Sequence, residues 1–536
     1  MGKQCSEFVP GHCTKLRALP ARARTLLPFV SSSPLPAAPR WTLRALVLLH
    51  VLAGAAMGLS VDEAHYLLYA LHPALSYFDH PPLVGWAQWP LVALHVPDAL
   101  LRLLPALVWW ATVAGAYRFT LRLLGDTGVD AEDAGKAALW ALAALALAPL
   151  LHILGIGLLP DSLLMALTVA ILACTWQLMR TPLQASGWAP WLRLGLVLGL
   201  AGLSKYTAIF AALAVALCLL HAHGPRVLRS AGLWAAVLLA LLLVAPVALW
   251  NAHNDWVSFR YQLQHGAGGG WKPLEFARFV LVQLLVFGPL LWAALAGWRH
   301  AAPAARPLFA FFALPFALLA YLSGGGTSLP HWTAPAWVAA APFAGLALQR
   351  AQRGGWHRWL RLLAWLQAAI TIGLLGLMLS AGLPFIHTND DSVAPATNPF
   401  ADLHGWAQAG RVAHSLAQQE GLGALAVQNW TLASRLGWYA RPLPVHVLED
   451  RVTQFSLWAG DLPQGGDALL VDWSHMAYDV PMAPHGFTRC RLLQSLPVQH
   501  WGHPLASFRF YACKGWEGTP EPRLTQRNQE ALAHAR

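Results

Sequence analysis

Between Val61 and Trp86 the chain reads VDEAHYLLYALHPALSYFDHPPLVGW, with Asp62, Glu63 and Asp79 but no lysine or arginine. The stretch follows directly on an apolar run, Trp41 to Ser60, long enough to cross a bilayer. Acidic side chains at the end of a membrane helix are costly and are functional by default. A carboxylate placed there can take a proton from an attacking hydroxyl or amine. Asp62, His65, Tyr66 and Tyr69 are spaced i, i+3, i+4, i+7, which puts them on one face of a short helix. Asp79 and His80 follow just before a Pro81-Pro82 corner that stops the chain. The competing reading is structural: an Asp-Glu pair at a helix start complements the helix dipole.

Other outward segments add polar groups of the same kind. Asp161 opens a span in GLLPDSLLMAL, Lys205 and Tyr206 lie in LSKYT, and His331 lies in SLPHWTAPAW. His253, Asp255 and Arg260 lie in WNAHNDWVSFRYQLQHG. Lys205, His80 and Arg260 are cations able to neutralise a phosphate, and stabilising a departing anion is often a large catalytic term. Carboxylates beside cations at bilayer level suit an amphiphilic phospholipid substrate. No GxxxxGK[ST] loop is present, which argues against nucleotide hydrolysis. Nucleotide sugars are absent outside the cell, so an activated group has to arrive on a lipid. Asp79 with His253 is a candidate pair for a divalent metal, unsupported by any two-histidine helix motif or cysteine set.

These residues need membrane helices to position them. Of the 536 residues 57% are hydrophobic and 11% charged, with a mean hydropathy of +0.46. A soluble domain has roughly 25% charged residues, so the chain is read as a polytopic membrane protein. Apolar runs predict eleven spans near 41–60, 98–122, 137–154, 162–180, 191–204, 206–222, 230–250, 276–298, 307–322, 333–349 and 359–379. The fifth and sixth are short, which fits either tilted spans or a break at Ser204-Lys205. The net charge of +11 does not point to nucleic acid, because the basic residues alternate between loops. Arg118, Arg122, Lys136, Arg180, Arg193, Arg226, Arg229, Arg299, Arg306 and Arg350 fall on one side. By the positive-inside rule the N-terminus is cytoplasmic, and the 61–97 loop and the C-terminal region are outside. Residues 1–40 read as a disordered tail without a cleavable signal.

From about Leu383 the pattern becomes that of a small α/β domain over 381–536. RVAHSLAQQEGL and TLASRLGWYA read as helices, and ALAVQNW, PVHVLE and DALLVDW as strands. Cys490 and Cys513 lie in strand-like stretches, and an oxidising exterior would permit their pairing, although sequence alone does not fix it. Cys174 and Cys218 read as packing residues; Cys5 and Cys13 lie in the tail without partners for a metal site.

DEAHYLLYALHPALSYFDHPP, LLPDSLLMAL, GLSKYTAIF, WNAHNDWVSFRYQLQHG and HWTAPAW occur in an order and spacing that resemble the bacterial membrane glycosyltransferases of families 39 and 83. Those families include protein O-mannosyltransferase-like enzymes and the lipid A aminoarabinose transferase. The resemblance covers about residues 41–350 and implies the GT-C fold: an all-α membrane domain of about 11 helices, here with a C-terminal extracytoplasmic α/β domain. It implies an inner-membrane enzyme that takes a sugar from a polyprenyl-phosphate donor to a glycolipid, lipid A or protein acceptor, with inversion. On that reading Asp62 is the general base, with Glu63 beside it and Asp161 as further candidate catalytic acids. Lys205, with Tyr206, His80, Arg260, Tyr66 and His331, contacts donor phosphate or substrate, and Asp79 matches an acid linked to metal or phosphate contacts. His80 departs from the pattern, since the aminoarabinose transferase has a lysine there. His253 and Arg260 fall in a loop that varies between subfamilies. Tyr66, Tyr69, Trp86, Trp256 and Trp271 are candidates for stacking on sugars, against the commoner reading as an interfacial aromatic belt. The alternative function is a transporter or flippase of a lipid-linked substrate, which predicts inverted repeats and mid-span acids. A membrane-anchored binding scaffold would leave the acid-rich loop unexplained.

Overall fold

A computed structural model describes residues 35–267, 270–326, 328–383, 398–449, 451–476 and 478–518. Most of the N-terminal tail, Cys5 and Cys13 included, and residues 384–397 lie outside the described residues.

Each of the eleven predicted spans falls on a helix or a broken helix pair. Length and apolarity suffice for crossing a membrane in six of them: 98–126, 160–180, 206–229, 231–253, 306–323 and 357–379. Two more crossings are bent pairs: Ala131–Ala146 with Pro149–Ile156 at 67°, and Pro273–Phe287 with Pro289–His300 at 107°. Proline opens the second helix of each pair, where its missing N–H costs nothing. The other three predicted spans do not meet the same standard. Trp188–Ser204 is short, α1 (Ala37–Ala55) carries Arg40 and Arg44, and Ala334–Arg353 is Ala-rich and ends in Arg350 and Arg353. Burial explains the last, because every residue from Ala336 to Gln349 is buried. A helix walled in by its neighbours has no lipid to satisfy. At the other extreme, Ala231–His253 has only 11% of its apolar window buried and presents Leu238, Leu241, Leu242 and Leu249 outward, as a lipid-facing helix should.

The 61–97 segment folds into two short helices, α2 (Val61–Leu71) and α3 (Leu83–Ala93). Ser60 caps α2: its Oγ accepts the Glu63 N–H at 3.3 Å, while Glu63 Oε2 accepts the Ser60 N–H at 3.0 Å. The two helices touch at Gly85, where a Cβ would lie 2.7 Å from Tyr69 Cβ. Between them, Tyr77 stacks on Tyr69 with ring centroids 3.6 Å apart and donates to the Tyr69 carbonyl at 2.7 Å.

The C-terminal region carries five strands: β1 (Leu425–Val427), β2 (Val445–Val447), β3 (Ala468–Trp473), β4 (Phe487–His500) and β5 (His503–Trp516). They form one sheet in the order β2-β1-β3-β5-β4. β1 pairs in parallel with β2 and β3, whereas β3, β5 and β4 run antiparallel. The helices Trp406–Glu420 and Trp430–Tyr439 flank β1 in the chain, and the second supplies the crossover that its parallel pairing with β2 requires. Cys490 and Cys513 face each other across β4 and β5 and form a disulfide; Cys174 and Cys218 are free and buried. The apolar core of this region is not its own. Leu59, Ala64, Leu67, Leu68 and Leu101, all from the membrane part, pack into it with Leu432, Leu436 and Phe455.

Candidate active site

The bilayer-level residues converge on a cavity of about 250 Å³. Asp62, His65 and Tyr66 of α2, Phe78, Asp79 and His80 of the following loop, and Lys205, His331 and Trp332 from membrane-helix ends line it. Trp430, Arg451, Thr453 and Gln454 of the C-terminal region complete the wall.

Lys205 is where a helix breaks. The helix Trp188–Ser204 ends one residue before it, Lys205 adopts an extended backbone, and a 3-10 turn, Tyr206–Ala208, restarts the chain. Ser204 Oγ fixes the break by donating to the Pro160 carbonyl at 2.7 Å. The Lys205 ammonium then reaches both oxygens of buried Asp161, at 2.8 and 2.7 Å, and lies 5.4 Å from the centre of the Trp332 ring. His331 Nε2 is 3.8 Å from the same carboxylate. Asp161 therefore stands behind the cavity wall and holds two of its groups, rather than lining the cavity itself.

Asp62 is half-buried on the wall. Desolvation raises its carboxyl above the usual range, against the opposing pull of His331, His65 and Lys205. Asp79 has the opposite fate. Burial alone would raise it, but His65, His80 and the Tyr69 hydroxyl that donates to Oδ1 hold it well below the usual carboxylate range. His65 links two layers, with Nε2 3.5 Å from Asp79 Oδ1 and Nδ1 3.1 Å from Ser434 Oγ. Ser434 already donates to the Trp430 carbonyl at 2.7 Å, so its oxygen accepts and His65 Nδ1 is the donor. Burial pushes His80 down to about 4, and lowers His331 despite nearby Asp161. His80 is thus an uncharged neighbour at neutral pH.

Several expected residues lie elsewhere. Glu63 is buried and turned away from the cavity: Arg102 Nε donates to its Oε1 at 2.8 Å and Arg102 Nη2 to its Oε2 at 3.1 Å. The same guanidinium caps the carbonyl end of α1 through Gly54, Met57 and Gly58. Glu63 is thus a helix-capping and ion-pair residue, not a member of the cavity. Tyr206 points its hydroxyl toward Ser258, Ser76 and Asn251. Neither Arg260 nor His253 lines the cavity; His253 Nδ1 turns back to the Leu249 carbonyl at 2.8 Å. Asp79 and His253 accordingly do not make a metal centre, and no cluster of three or more His, Cys, Asp or Glu suited to a metal occurs among the described residues. Of the five aromatic candidates Tyr66 lines the cavity, Tyr69 binds Asp79, Trp86 donates to the Ala74 carbonyl, and Trp256 and Trp271 are exposed. Sequence reasoning missed Trp332, Tyr261 and Gln262, although each lies within one of the motifs above. Trp430, Arg451, Thr453 and Gln454 were not singled out either, because nothing in their local spacing marks them.

A carboxylate with raised proton affinity, next to a lysine locked at a membrane-helix end, is the arrangement a group-transfer enzyme of the bilayer surface requires. The comparisons agree. Residues 79–250 match the model of the dolichyl-phosphate-mannose-protein mannosyltransferase family. The chain is 25% identical to the lipid A galacturonosyltransferase RgtD of Rhizobium johnstonii over 396 residues, 71% of this chain and 77% of that protein. Its fold is that of ArnT from Cupriavidus metallidurans. The apo form superposes with a TM-score of 0.55 at 17% identity, covering 89% of this chain and 98% of that one; the undecaprenyl phosphate-bound form gives 0.53 at 17%, with 88% and 98% covered. The protein is a multi-pass membrane protein with the GT-C fold. Within that class it is a glycosyltransferase.

Proposed function

We propose that the chain transfers a sugar from a polyprenyl-phosphate donor to a hydroxyl or amine of an extracytoplasmic acceptor, with inversion at the anomeric carbon. The observation that carries this reading is the desolvated Asp62 sharing one cavity with the Asp161-held Lys205. Asp62 takes the acceptor proton as the new bond to the anomeric carbon forms. The bond from that carbon to the donor phosphate breaks, and its electron pair leaves on the phosphate oxygen beside Lys205. Asp161 positions Lys205 and His331, Asp79 positions His65, and Tyr66 and Trp332 offer flat surfaces to the sugars. Likeness to a lipid A galacturonosyltransferase over most of the chain supports a glycolipid acceptor of the lipid A kind over a protein.

The same reading puts the protein in the bacterial inner membrane with residues 1–40 cytoplasmic. Residues 41–380 form the membrane domain, and 381–536 form a periplasmic domain. The basic residues support this orientation: Asp126 pairs with Arg122 and Arg180, and Asp133 with Arg353, joining segments that the charge rule puts on the cytoplasmic side. Asp62→Asn tests the mechanism. Turnover should fall by about 10²–10⁴, the usual worth of a positioned general base. Undecaprenyl phosphate should still bind. Retained turnover would remove Asp62 from the chemistry.

A further inference from the structure

The cations around the cavity are unevenly committed. Lys205 gives its ammonium to both oxygens of Asp161, and His65 faces Asp79. Burial lowers both His80 and His331, which weakens them as cations. Among the described lining residues Arg451 remains, hydrogen-bonded to the Tyr261 side chain rather than ion-paired in the cavity, and it enters from the C-terminal region rather than from a membrane helix. Its guanidinium lies 5.5 Å from the centre of the Tyr261 ring. The chain that follows it is firmly held. At the start of the helix Gln454–Trp458 the Thr453 N–H donates to Ser456 Oγ at 3.2 Å, and Gln454 Oε1 accepts the Phe78 N–H at 2.7 Å. The arginine is thereby held beside the Asp79 loop although it belongs to the sheet region. Burial raises the carboxyl of Glu449, two residues earlier, and Arg451 opposes the rise.

We propose that Arg451 is a specificity-determining residue that binds a phosphate group of the acceptor. The inference rests on the transferase reading above. A guanidinium suits this task because its fork of donors matches phosphate oxygens two at a time. A phosphate in the cavity has two sources, the donor lipid and the acceptor. The donor's phosphate arrives with its lipid along the membrane helices, where Lys205 waits. Arg451 instead belongs to the C-terminal region, which contributes one part of the cavity wall.

The test uses the full-length chain in detergent, titrated with undecaprenyl phosphate, with bis-phosphorylated lipid A, and with the same lipid A stripped of its phosphates. Wild-type protein should prefer the phosphorylated lipid A. Arg451→Gln should weaken that binding by about tenfold or more, the loss expected for one charge-assisted partner. It should leave undecaprenyl phosphate and the stripped lipid A unchanged. Arg451→Lys should restore part of the loss, keeping the charge without the fork. An equal loss for undecaprenyl phosphate would assign Arg451 to the donor and overturn the proposal. So would a variant that binds phosphorylated lipid A as wild type does, or a wild-type protein that does not tell the two lipid A forms apart. Failure of wild-type protein to bind undecaprenyl phosphate would count against the donor reading instead, while the two lipid A titrations still judge Arg451.

Discussion

Asp62 and Asp79 are carboxylates in one cavity with opposite tendencies, and a division of labour follows. On the proposed mechanism Asp62, raised by desolvation, becomes a competent base only as pH climbs past its elevated pKa. Asp79, held low by His65 against its own burial, stays ionised throughout and organises its neighbours. The acid limb of kcat/KM should therefore fall above the ordinary aspartate range, near about 4, and should persist in Asp79→Asn at reduced rate. A pH–rate profile of wild type and Asp79→Asn checks this. His80 gives a second signature. Its folded pKa, about 4, lies below its unfolded value, so it contributes a loss of stability as pH falls from about 6.5 toward 4. His80→Gln should flatten thermal stability across that window. Asp161→Asn should behave differently from Asp62→Asn. Removing one partner of a buried ion pair costs about 3–5 kcal/mol, so the variant should unfold earlier and bind undecaprenyl phosphate more weakly.

At the scale of elements, α2 shows what was legible. Its i, i+3, i+4, i+7 face brings Asp62, His65 and Tyr66 to the cavity and Tyr69 to Asp79. Glu63, one residue on, turns about 100° away, and the same helical period that selects Asp62 excludes it. Its partner Arg102 was invisible as such, since an arginine at the outer end of a span gains meaning only once α1, α2 and the next helix are brought together. The break at Ser204-Lys205 was readable from two short apolar runs. The pairing of Lys205 with Asp161, 44 residues earlier, was not, because it is made by helix packing rather than by local spacing. Arg260 and His253 failed because a loop's polar residues have no period to say which way they point. Arg102→Met should unseat α2 by freeing the α1 carbonyls and Glu63 together. Thermal stability and turnover should then fall in step, unlike the selective loss expected for Asp62→Asn.

At the scale of the molecule, the sheet region and the membrane bundle meet through α2. His65 binds Ser434, and Leu68 lies beside Gly437. The strands and helices of this region were readable from alternation and amphipathic spacing, whereas the identity of its cavity-lining residues was not, because long-range docking leaves no periodic trace. Cys490 and Cys513 give a topology test. On intact cells a membrane-impermeant thiol reagent should label them only after reduction, while Cys174 and Cys218 stay protected within the bundle.

The hydrophobic seam between α2 and the sheet's helices, formed by Ala64, Leu67 and Leu68 with Leu432 and Leu436, imposes an order on biogenesis. Asp62 is made early in translation, yet the surface that α2 packs against is synthesised several hundred residues later. On the proposed mechanism a copy truncated before Leu432 lacks this support for α2 and should show no transferase activity.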